Sequence, residues 1–225
     1  MRPGTLLRWH ALKHILKSEI SEIEDGSSIF DIGSYDGEIS YNLKRIFQNL
    51  EFVIVDIDKS GLQLAAEKGL DTLYTSALNL PVKDNKVDFI LCLDLIEHVK
   101  EDNALIKEIS RVLKKHGKVI LTTPMQNGVS FPFLSRKKSK TINKNWGHVR
   151  KGYSLENIVK LFRNNDLMIV KISKYFNFFS RLVYRFNHLP RIPLKGKGLL
   201  YRMIIRLEPY IKNGAEEHII VCKKR

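Results

Sequence analysis

The sequence predicts an α/β fold, organised as a doubly wound, mostly parallel sheet. Short apolar runs alternate with amphipathic segments between residues 28 and 123, which is typical of strands joined by crossover helices. A glycine-containing loop, Asp31 to Gly37, follows the first apolar run, and the carboxylate of Asp56 follows the second. The 225 residues suit a single domain, because one hydrophobic core stops growing only at roughly 250 to 300 residues.

The individual elements follow from the spacing of apolar residues. Residues 5–24 carry an apolar side chain at every third or fourth position, which predicts an amphipathic helix that lies against the core or covers the site. Apolar runs predict strands at residues 28–32, 52–55, 70–75, 87–93, 118–123, 167–172 and 217–222. The intervening segments predict helices at residues 37–48, 59–68, 101–115 and 155–165.

Charge is distributed unevenly along the chain. Residues 1–124 carry 16 Lys and Arg against 19 Asp and Glu, a net charge of −3. Residues 125–225 carry 22 against 5, a net charge of +17. The asymmetry predicts an anionic partner for the second part, such as lipid headgroups, nucleic acid or a phosphorylated substrate.

The sequence carries no signal for a membrane span or for export. No stretch approaches the ~20 consecutive apolar residues of a transmembrane helix, and the N-terminal segment is too polar for a secretory signal. We therefore expect a cytoplasmic protein. Cys92 and Cys222 each lie in an apolar run without a Cys or His at metal-ligand spacing, so we expect buried free thiols and no metal site.

Polar residues follow three of the predicted strands, at the edge where an open α/β sheet binds its ligands. Gly33 and Gly37 can adopt positive φ and let a ligand approach the backbone closely. Asp56 can accept hydrogen bonds from both hydroxyls of a ribose. The stretch Asp94 to His98 follows the fourth strand. Together these positions predict a ligand that contains a nucleoside.

Several motifs, taken in order and with their spacing, resemble those of class I S-adenosylmethionine-dependent methyltransferases. Phe30 to Gly37 resembles their first motif, and Val55 to Asp58 resembles their ribose-binding motif. Segments 80–88, 95–99, 105–114, 122–124 and 148–156 are similar to the branch that includes quinone, lipid and glycan methyltransferases. The resemblance implies a seven-stranded Rossmann-like fold, S-adenosyl-L-methionine as cofactor, and methyl transfer to a small-molecule, lipid-linked or glycan acceptor.

The resemblance also implies the cofactor-binding residues. They are Asp31, Gly33, Ser34, Tyr35, Gly37, Asp56, Ile57, Ser76, Ala77, Leu78 and Leu93. Two positions depart from the family pattern, because Tyr35 replaces a usual second glycine and Ser76 to Leu78 replaces an acidic residue near the adenine. Asp31 alternatively only caps the turn. A nicotinamide cofactor is a weaker alternative, because the spacing is not G-x-G-x-x-G and the later motifs would be unexplained.

Four residues are candidates for a general base, which a hydroxyl or C–H acceptor would require: Glu97, His98, His148 and Tyr153. Glu97 and His98 alternatively only favour a helix start through charge and capping. Under this assignment residues 1–225 form a single domain. It comprises an N-terminal helix (1–26), a cofactor-binding core (27–124), a basic acceptor loop without regular structure (125–153) and a basic aromatic insertion (175–215).

The insertion bears on the acceptor. Aromatic residues interleaved with Arg favour a helix on an anionic membrane surface or a lid over a lipid-like acceptor, and a helical hairpin packed on the core is an equal alternative. An RNA-directed enzyme and a non-catalytic basic binding module remain as other hypotheses. Nucleic acid is the less favoured partner, because Leu93 to Ile96 lacks the Asn/Asp-Pro-Pro-aromatic tetrapeptide typical of base methylation.

Overall fold

The computed structural model describes residues 2–187 and 197–225, and a seven-stranded sheet forms its centre. The strands are β1 (Ser28–Ile32), β2 (Glu51–Asp56), β3 (Asp71–Tyr74), β4 (Val87–Leu93), β5 (Leu113–Pro124), β6 (Leu167–Tyr175) and β7 (Glu217–Lys224). Their order across the sheet is β3-β2-β1-β4-β5-β7-β6.

The first five strands run parallel. β1 pairs with β2 and β4, β2 pairs with β3, and β4 pairs with β5. β7 lies antiparallel between β5 and β6. The predicted doubly wound, mostly parallel sheet is therefore confirmed. The strand order reverses between β1 and β4, so the carboxyl ends of these two strands border the crevice in which such sheets bind ligands.

Helices cover both faces of the sheet. They are α1 (Pro3–Ile20), α2 (Glu38–Lys44), α3 (Lys59–Glu67), α4 (Asp102–Val112), α5 (Arg136–Asn145), α6 (Leu155–Arg163), α7 (Phe178–Asn187) and α8 (Lys197–Arg206). A single 3₁₀ turn, Ile96–His98, follows β4. The side chains of Asp58, Ser135 and Ser154 cap α3, α5 and α6. Within the described residues, no helix has both the length and the apolar character needed to cross a membrane.

Alternate residues of the strands are buried in two clusters, one on each face of the sheet. On one face α1 packs with α2, α7 and α8, and Leu12, Leu16 and Ile20 of α1 are fully buried. On the other face, buried residues of α4 and α6 such as Ile106 and Phe162 cover the sheet. The N-terminal helix therefore lies against the core, as its apolar spacing predicted.

The boundary between α4 and β5 differs from the prediction. The predicted helix extended to residue 115, but α4 ends at Val112 and β5 begins at Leu113, which pairs with Val87. The next residue pair is Phe89 with Lys118. The residues of β5 between Leu113 and Lys118 therefore form a bulge, in which His116 has a φ of 66°. Strand pairing here overrides the helical spacing of the local sequence.

The segment 125–153, predicted to lack regular structure, contains α5. Its N-cap is Ser135, and the buried amide of Asn143 donates to the carbonyl of Val129 at 2.7 Å. α5 consists mainly of Lys and polar residues, with Ile142 as its one aliphatic side chain. A helix without an apolar stripe gives no hydrophobic period, which is why the sequence did not reveal it.

Replacing Leu12 with alanine should lower the free energy of unfolding by about 2 to 5 kcal/mol, because the side chain is fully buried and its loss leaves a cavity under α1. Urea unfolding followed by circular dichroism measures this difference. Leu64→Ala is the matched control, since Leu64 is 42% exposed and should cost far less. Equal losses in the two variants would contradict the packing of α1 on the core.

Candidate functional site

The glycine loop joins β1 to α2 and is fixed to the end of β2. Gly33 and Tyr35 have positive φ values of 74° and 59°. The N–H of Gly33 donates to the carbonyl of Val55 at 2.7 Å, and the N–H of Tyr35 donates to Oδ2 of Asp56 at 2.8 Å. The two segments that the sequence assigned to one ligand are therefore adjacent.

Two glycines allow the loop to pack closely. A Cβ on Gly33 would lie 2.6 Å from the side chain of Leu95, and a Cβ on Gly37 would lie 2.8 Å from that of Leu70. Gly33 borders two of the cavities described below, whereas Gly37 faces the core beside β2. Gly37, predicted as a cofactor-binding residue, therefore serves the packing of the loop.

Tyr35 adopts the backbone conformation that a glycine would supply. An L-residue in this left-handed region costs roughly 1 to 2 kcal/mol. Its ring packs on Gly61, where a Cβ would lie 2.6 Å from the ring, and the guanidinium of Arg2 lies over it at 4.7 Å from the ring centre. The ring is therefore directed towards the start of α3, and the loop keeps its path despite the missing glycine.

Asp31, the penultimate residue of β1, is buried, with 1% of its surface exposed. Ser40 donates to Oδ2 at 2.7 Å, whereas Oδ1 is buried without a hydrogen-bond partner. Burial raises the pKa of Asp31 to about 6, and the bond from Ser40 partly offsets this rise. A buried carboxylate oxygen without a donor suits a cationic ligand group.

Three cavities surround the carboxyl ends of β1, β2 and β4. The loop cavity, of about 110 Å³, is bordered by Asp31, Gly33, Ser34, Tyr35, Leu93 and residues of α1. The strand-end cavity, of about 330 Å³, is bordered by Gly33, Asp56, Ile57, Ser76, Ala77 and Leu78. The structure thus brings together all the predicted cofactor-binding residues except Gly37.

The third cavity, which we call the deep cavity, has a volume of about 380 Å³. Its polar wall contains Arg8, Asp94, Glu97, His98, His148 and Glu217. Its aromatic wall contains Trp146, Tyr175, Phe176 and Tyr184. Arg8 and Asp94 also border the loop cavity, and His98 also borders the strand-end cavity. A ligand lying across Gly33 would therefore have the deep cavity beside it.

Asp94 joins the elements around the deep cavity. Its carboxylate forms an ion pair with Arg8 of α1 and accepts hydrogen bonds from the hydroxyls of Thr122 and Tyr175. Its own N–H donates to Thr122 Oγ1 at 3.0 Å. These contacts connect α1, β4, β5 and β6 through one side chain.

Three of the four predicted catalytic residues lie together in the deep cavity. Glu97 is 1% exposed, and the hydroxyl of Thr123 donates to its Oε2 at 3.2 Å. The rings of His98 and His148 meet edge to face with centres 4.8 Å apart. Burial raises the pKa of Glu97 to about 8, with the charge of Asp94 adding to the rise. Burial lowers the pKa of His148 to about 4 and also lowers that of His98.

Tyr153, the fourth catalytic candidate, lies elsewhere. Its hydroxyl donates to Asp102 Oδ2 at 2.8 Å and contacts Arg150, and its ring belongs to the core cluster on the α4 and α6 face. Burial raises its pKa, and the bond to Asp102 adds to this effect. Tyr153 does not border the deep cavity, so the structure does not support it as a general base.

Several residues of the site were not predicted from the sequence. Arg2 precedes α1, Arg8 lies in α1, Trp146 follows α5, and Glu217 begins β7. Each lies far from the glycine loop in sequence and reaches the site only through tertiary packing. A charged residue among the apolar positions of a terminal strand, as at Glu217, was the one available signal.

Comparisons with known proteins agree with this geometry. Residues 30–121 match the family model described as a methyltransferase domain. The ubiquinone/menaquinone biosynthesis C-methyltransferase of Rickettsia typhi is 31% identical over 106 residues, which cover 42% of this chain and 43% of that protein. The ubiquinone biosynthesis O-methyltransferase of Xanthomonas oryzae is 25% identical over 131 residues, 54% of each chain. The chain thus spans about half the length of these relatives.

Solved structures share the fold at low sequence identity. Haemonchus contortus phosphoethanolamine N-methyltransferase 2, in complex with S-adenosyl-L-methionine, superposes with a TM-score of 0.70 at 19% identity, covering 96% of this chain and 52% of that one. Geranyl diphosphate C-methyltransferase from Streptomyces coelicolor A3(2) gives a TM-score of 0.67 at 13% identity, covering 95% and 78%. Residues 30–121 thus match a methyltransferase domain, and the chain shares its fold with S-adenosylmethionine-dependent methyltransferases.

Proposed function

We propose that this protein transfers a methyl group from S-adenosyl-L-methionine to a small-molecule acceptor. The observation that carries the proposal is the arrangement of the three cavities. The loop and strand-end cavities meet at Gly33, and the deep cavity joins both through Asp94 and His98. This arrangement offers one elongated site for a nucleoside with an amino acid tail and a separate site for the acceptor.

The residues present fit the cofactor at both of its ends. Asp31 Oδ1, buried without a partner, would accept a hydrogen bond from the ammonium of the methionine part. Each oxygen of Asp56 already accepts one backbone N–H, from Tyr35 and from Asp58. A carboxylate offers about four acceptor positions, which leaves room for the ribose hydroxyls. The adenine would lie against Ala77 and its neighbours in the strand-end cavity.

The chain's own contribution to the reaction is mainly positioning. When bound, S-adenosyl-L-methionine supplies an electrophilic methyl group. Walls from α1, β4, β6 and β7 would hold the acceptor in the deep cavity and exclude water from it. Such orientation can lower a reaction barrier by about 7 to 11 kcal/mol. Glu97, His98 and His148 are among the groups on this wall that can exchange a proton with the acceptor or bind its oxygen.

The affinity for S-adenosylhomocysteine should depend on the charge of Asp31. Below pH 6 the carboxyl takes up a proton, because its pKa is about 6, and the ligand ammonium must then displace that proton. We expect the affinity to fall by about tenfold per pH unit below this point and to level off above it. Asp31→Asn should bind roughly 30-fold more weakly at pH 7.5, a loss of about 2 kcal/mol, with little dependence on pH. Isothermal calorimetry measures both effects.

Asp25→Asn is the matched control, because Asp25 is an exposed carboxylate whose bond is to Asn49 alone. Its affinity and pH profile should equal those of the unmodified protein. Absence of S-adenosylhomocysteine binding at every pH would contradict the proposed function. Binding by Asp31→Asn with an unchanged pH profile would contradict the role of Asp31.

The deep cavity favours an acceptor that combines an apolar body with polar groups. Trp146, Phe176 and Tyr184 offer an aromatic wall, and Arg2 and Arg8 stand where the deep cavity meets the loop cavity. Sequence relatives include an enzyme of quinone biosynthesis, and one protein of similar fold is a geranyl diphosphate methyltransferase. Quinones with lipid tails and geranyl diphosphate both combine an apolar part with polar groups. We propose a lipid-linked or otherwise amphipathic small molecule, including a glycan carried on a lipid, as the acceptor.

Labelled S-adenosylmethionine should transfer its methyl group to lipid extracts rather than to RNA. The assay offers lipid, glycan and RNA fractions separately to the same preparation, and extraction followed by mass spectrometry identifies the product. Label that enters RNA alone would overturn the acceptor class. Tight S-adenosylhomocysteine binding without label in any fraction would favour the non-catalytic binding module.

We further propose that the protein works in the cytoplasm, peripheral to an anionic membrane. Phe178 and Phe179 on α7 are exposed, as are Leu199 and Met203 on α8, and these two helices pack on each other. Arg202 and Arg206 are exposed and place positive charge on α8. Apolar side chains edged with Arg suit the interface of a bilayer that carries negative headgroups. Residues 188–196 of the predicted insertion lie outside the described residues.

The protein should sediment with phosphatidylcholine vesicles that contain phosphatidylglycerol and remain in solution with pure phosphatidylcholine. Phe178→Ser/Phe179→Ser should lose most of this binding, because two exposed aromatic rings no longer enter the interface. Val159→Ser, which changes an exposed apolar residue of α6, is the control and should still bind. Equal sedimentation of both variants would contradict the proposal that this surface binds the membrane. Binding that does not depend on anionic lipid would also contradict it.

A further inference from the structure

We propose that Glu97, His98 and His148 bind a divalent transition-metal ion at the wall of the deep cavity. One ligand atom from each residue lies within 4.8 Å of the other two. Within residues 2–187 and 197–225, this is the one group of three His, Cys, Asp or Glu side chains that converge in this way. Two imidazole nitrogens and one carboxylate oxygen are ligands that Zn²⁺, Co²⁺ and Fe²⁺ share.

The three ligands come from two segments that the backbone holds together. Glu97 and His98 belong to the 3₁₀ turn after β4, whereas His148 follows α5. The N–H of Val149 donates to the carbonyl of Glu97 at 3.0 Å, which fixes the second segment against the first. The sequence alone gave no metal spacing, because the two histidines are far apart along the chain and meet only in the fold.

The surroundings orient two of the ligands. The His98 ring lies against the backbone of Gly147, where an added Cβ would lie 3.5 Å from His98 Nδ1. The Nδ1 side of the ring therefore faces the backbone, which directs Nε2 away from it. The hydroxyl of Thr123 donates to Glu97 Oε2 at 3.2 Å. Contacts of this kind, in which a histidine ring N–H faces the backbone or a hydroxyl donates to a carboxylate, commonly hold metal ligands in place.

Glu97 has a hydrogen bond but no ion pair, and His148 has one buried nitrogen without a hydrogen-bond partner. Glu97 is 1% exposed, yet none of the ion pairs found in the described part of the chain includes it. Nδ1 of His148 is buried without a hydrogen-bond partner. A cation that contacts all three side chains would stabilise a buried carboxylate that lies beside an unpaired imidazole nitrogen. The missing ion pair of Glu97 and the unpaired nitrogen of His148 support the metal site independently of the distances between the ligand atoms.

The three ligand atoms need only small side-chain movements to bind one metal ion. Zn–N and Zn–O bonds of about 2.0 to 2.2 Å place tetrahedral ligands roughly 3.3 Å apart. The present spread of up to 4.8 Å therefore needs side-chain movements of about 1 Å. Three protein ligands leave coordination positions open towards the deep cavity. There the ion would hold water or an oxygen of the acceptor, a role that rests on the proposed function, whereas binding of the ion itself does not.

The experiment uses the full chain without a histidine tag, freed of metal by dialysis against a chelator. Titration with Co²⁺ should produce a visible d–d absorption band that saturates at one ion per chain, and Zn²⁺ should displace it. His148→Gln and Glu97→Gln should each weaken Co²⁺ binding more than about tenfold, since loss even of a supporting contact costs 10 to 100-fold. His14→Gln changes an exposed histidine of α1 and should titrate like the unmodified protein.

Calorimetry with S-adenosylhomocysteine in the absence of metal provides the independent check. His148→Gln should retain this binding, which shows that the variant is folded and that the cofactor site is intact. Absence of a Co²⁺ band in the unmodified protein would overturn the metal site while leaving the methyl-transfer proposal in place. An unchanged band in both His148→Gln and Glu97→Gln would also overturn it, and so would preference for Mg²⁺, which favours oxygen ligands.

Discussion

The ion pair between Arg8 and Asp94 is the contact on which the architecture of the site depends. Arg8 belongs to the N-terminal helix, and Asp94 follows the central strand β4. The same carboxylate accepts hydrogen bonds from Thr122 on β5 and Tyr175 on β6. One side chain thus holds three parts of the sheet and the helix that covers them. Without Asp94, a half-buried guanidinium would lose its partner, and such uncompensated charges are costly inside a protein.

This contact also links the two halves of the site. Arg8 and Asp94 border both the loop cavity and the deep cavity, so the position of α1 affects both. Arg2, at the start of the same helix, lies over Tyr35 of the glycine loop and pairs with Asp36. The N-terminal helix is therefore a wall of the site as well as part of the core. A ligand that moves the glycine loop would act on α1 through these side chains.

The sequence predicted the parts of the site that depend on local order. Gly33 and Asp56 follow buried strands, and parallel strands bring their carboxyl ends to one edge, so the loop and strand-end cavities could be foreseen. The deep cavity could not, because Arg8 and Glu217 reach it from opposite ends of the chain. Tyr153 was predicted as a fourth candidate base, but its ring packs in the core cluster that contains α4 and α6, and it does not border the deep cavity.

The charges of the deep cavity refine what the basic composition suggested about the acceptor. The excess of Lys and Arg after residue 124 predicted an anionic partner. Asp94, Glu97 and Glu217 nevertheless line the cavity, and of these only Asp94 has an ion pair among the described residues. An anion placed deep in this cavity would meet two buried carboxyl groups. An anionic part of the acceptor would thus lie near Arg2 and Arg8, while a hydroxyl or a cation would occupy the wall near Glu97.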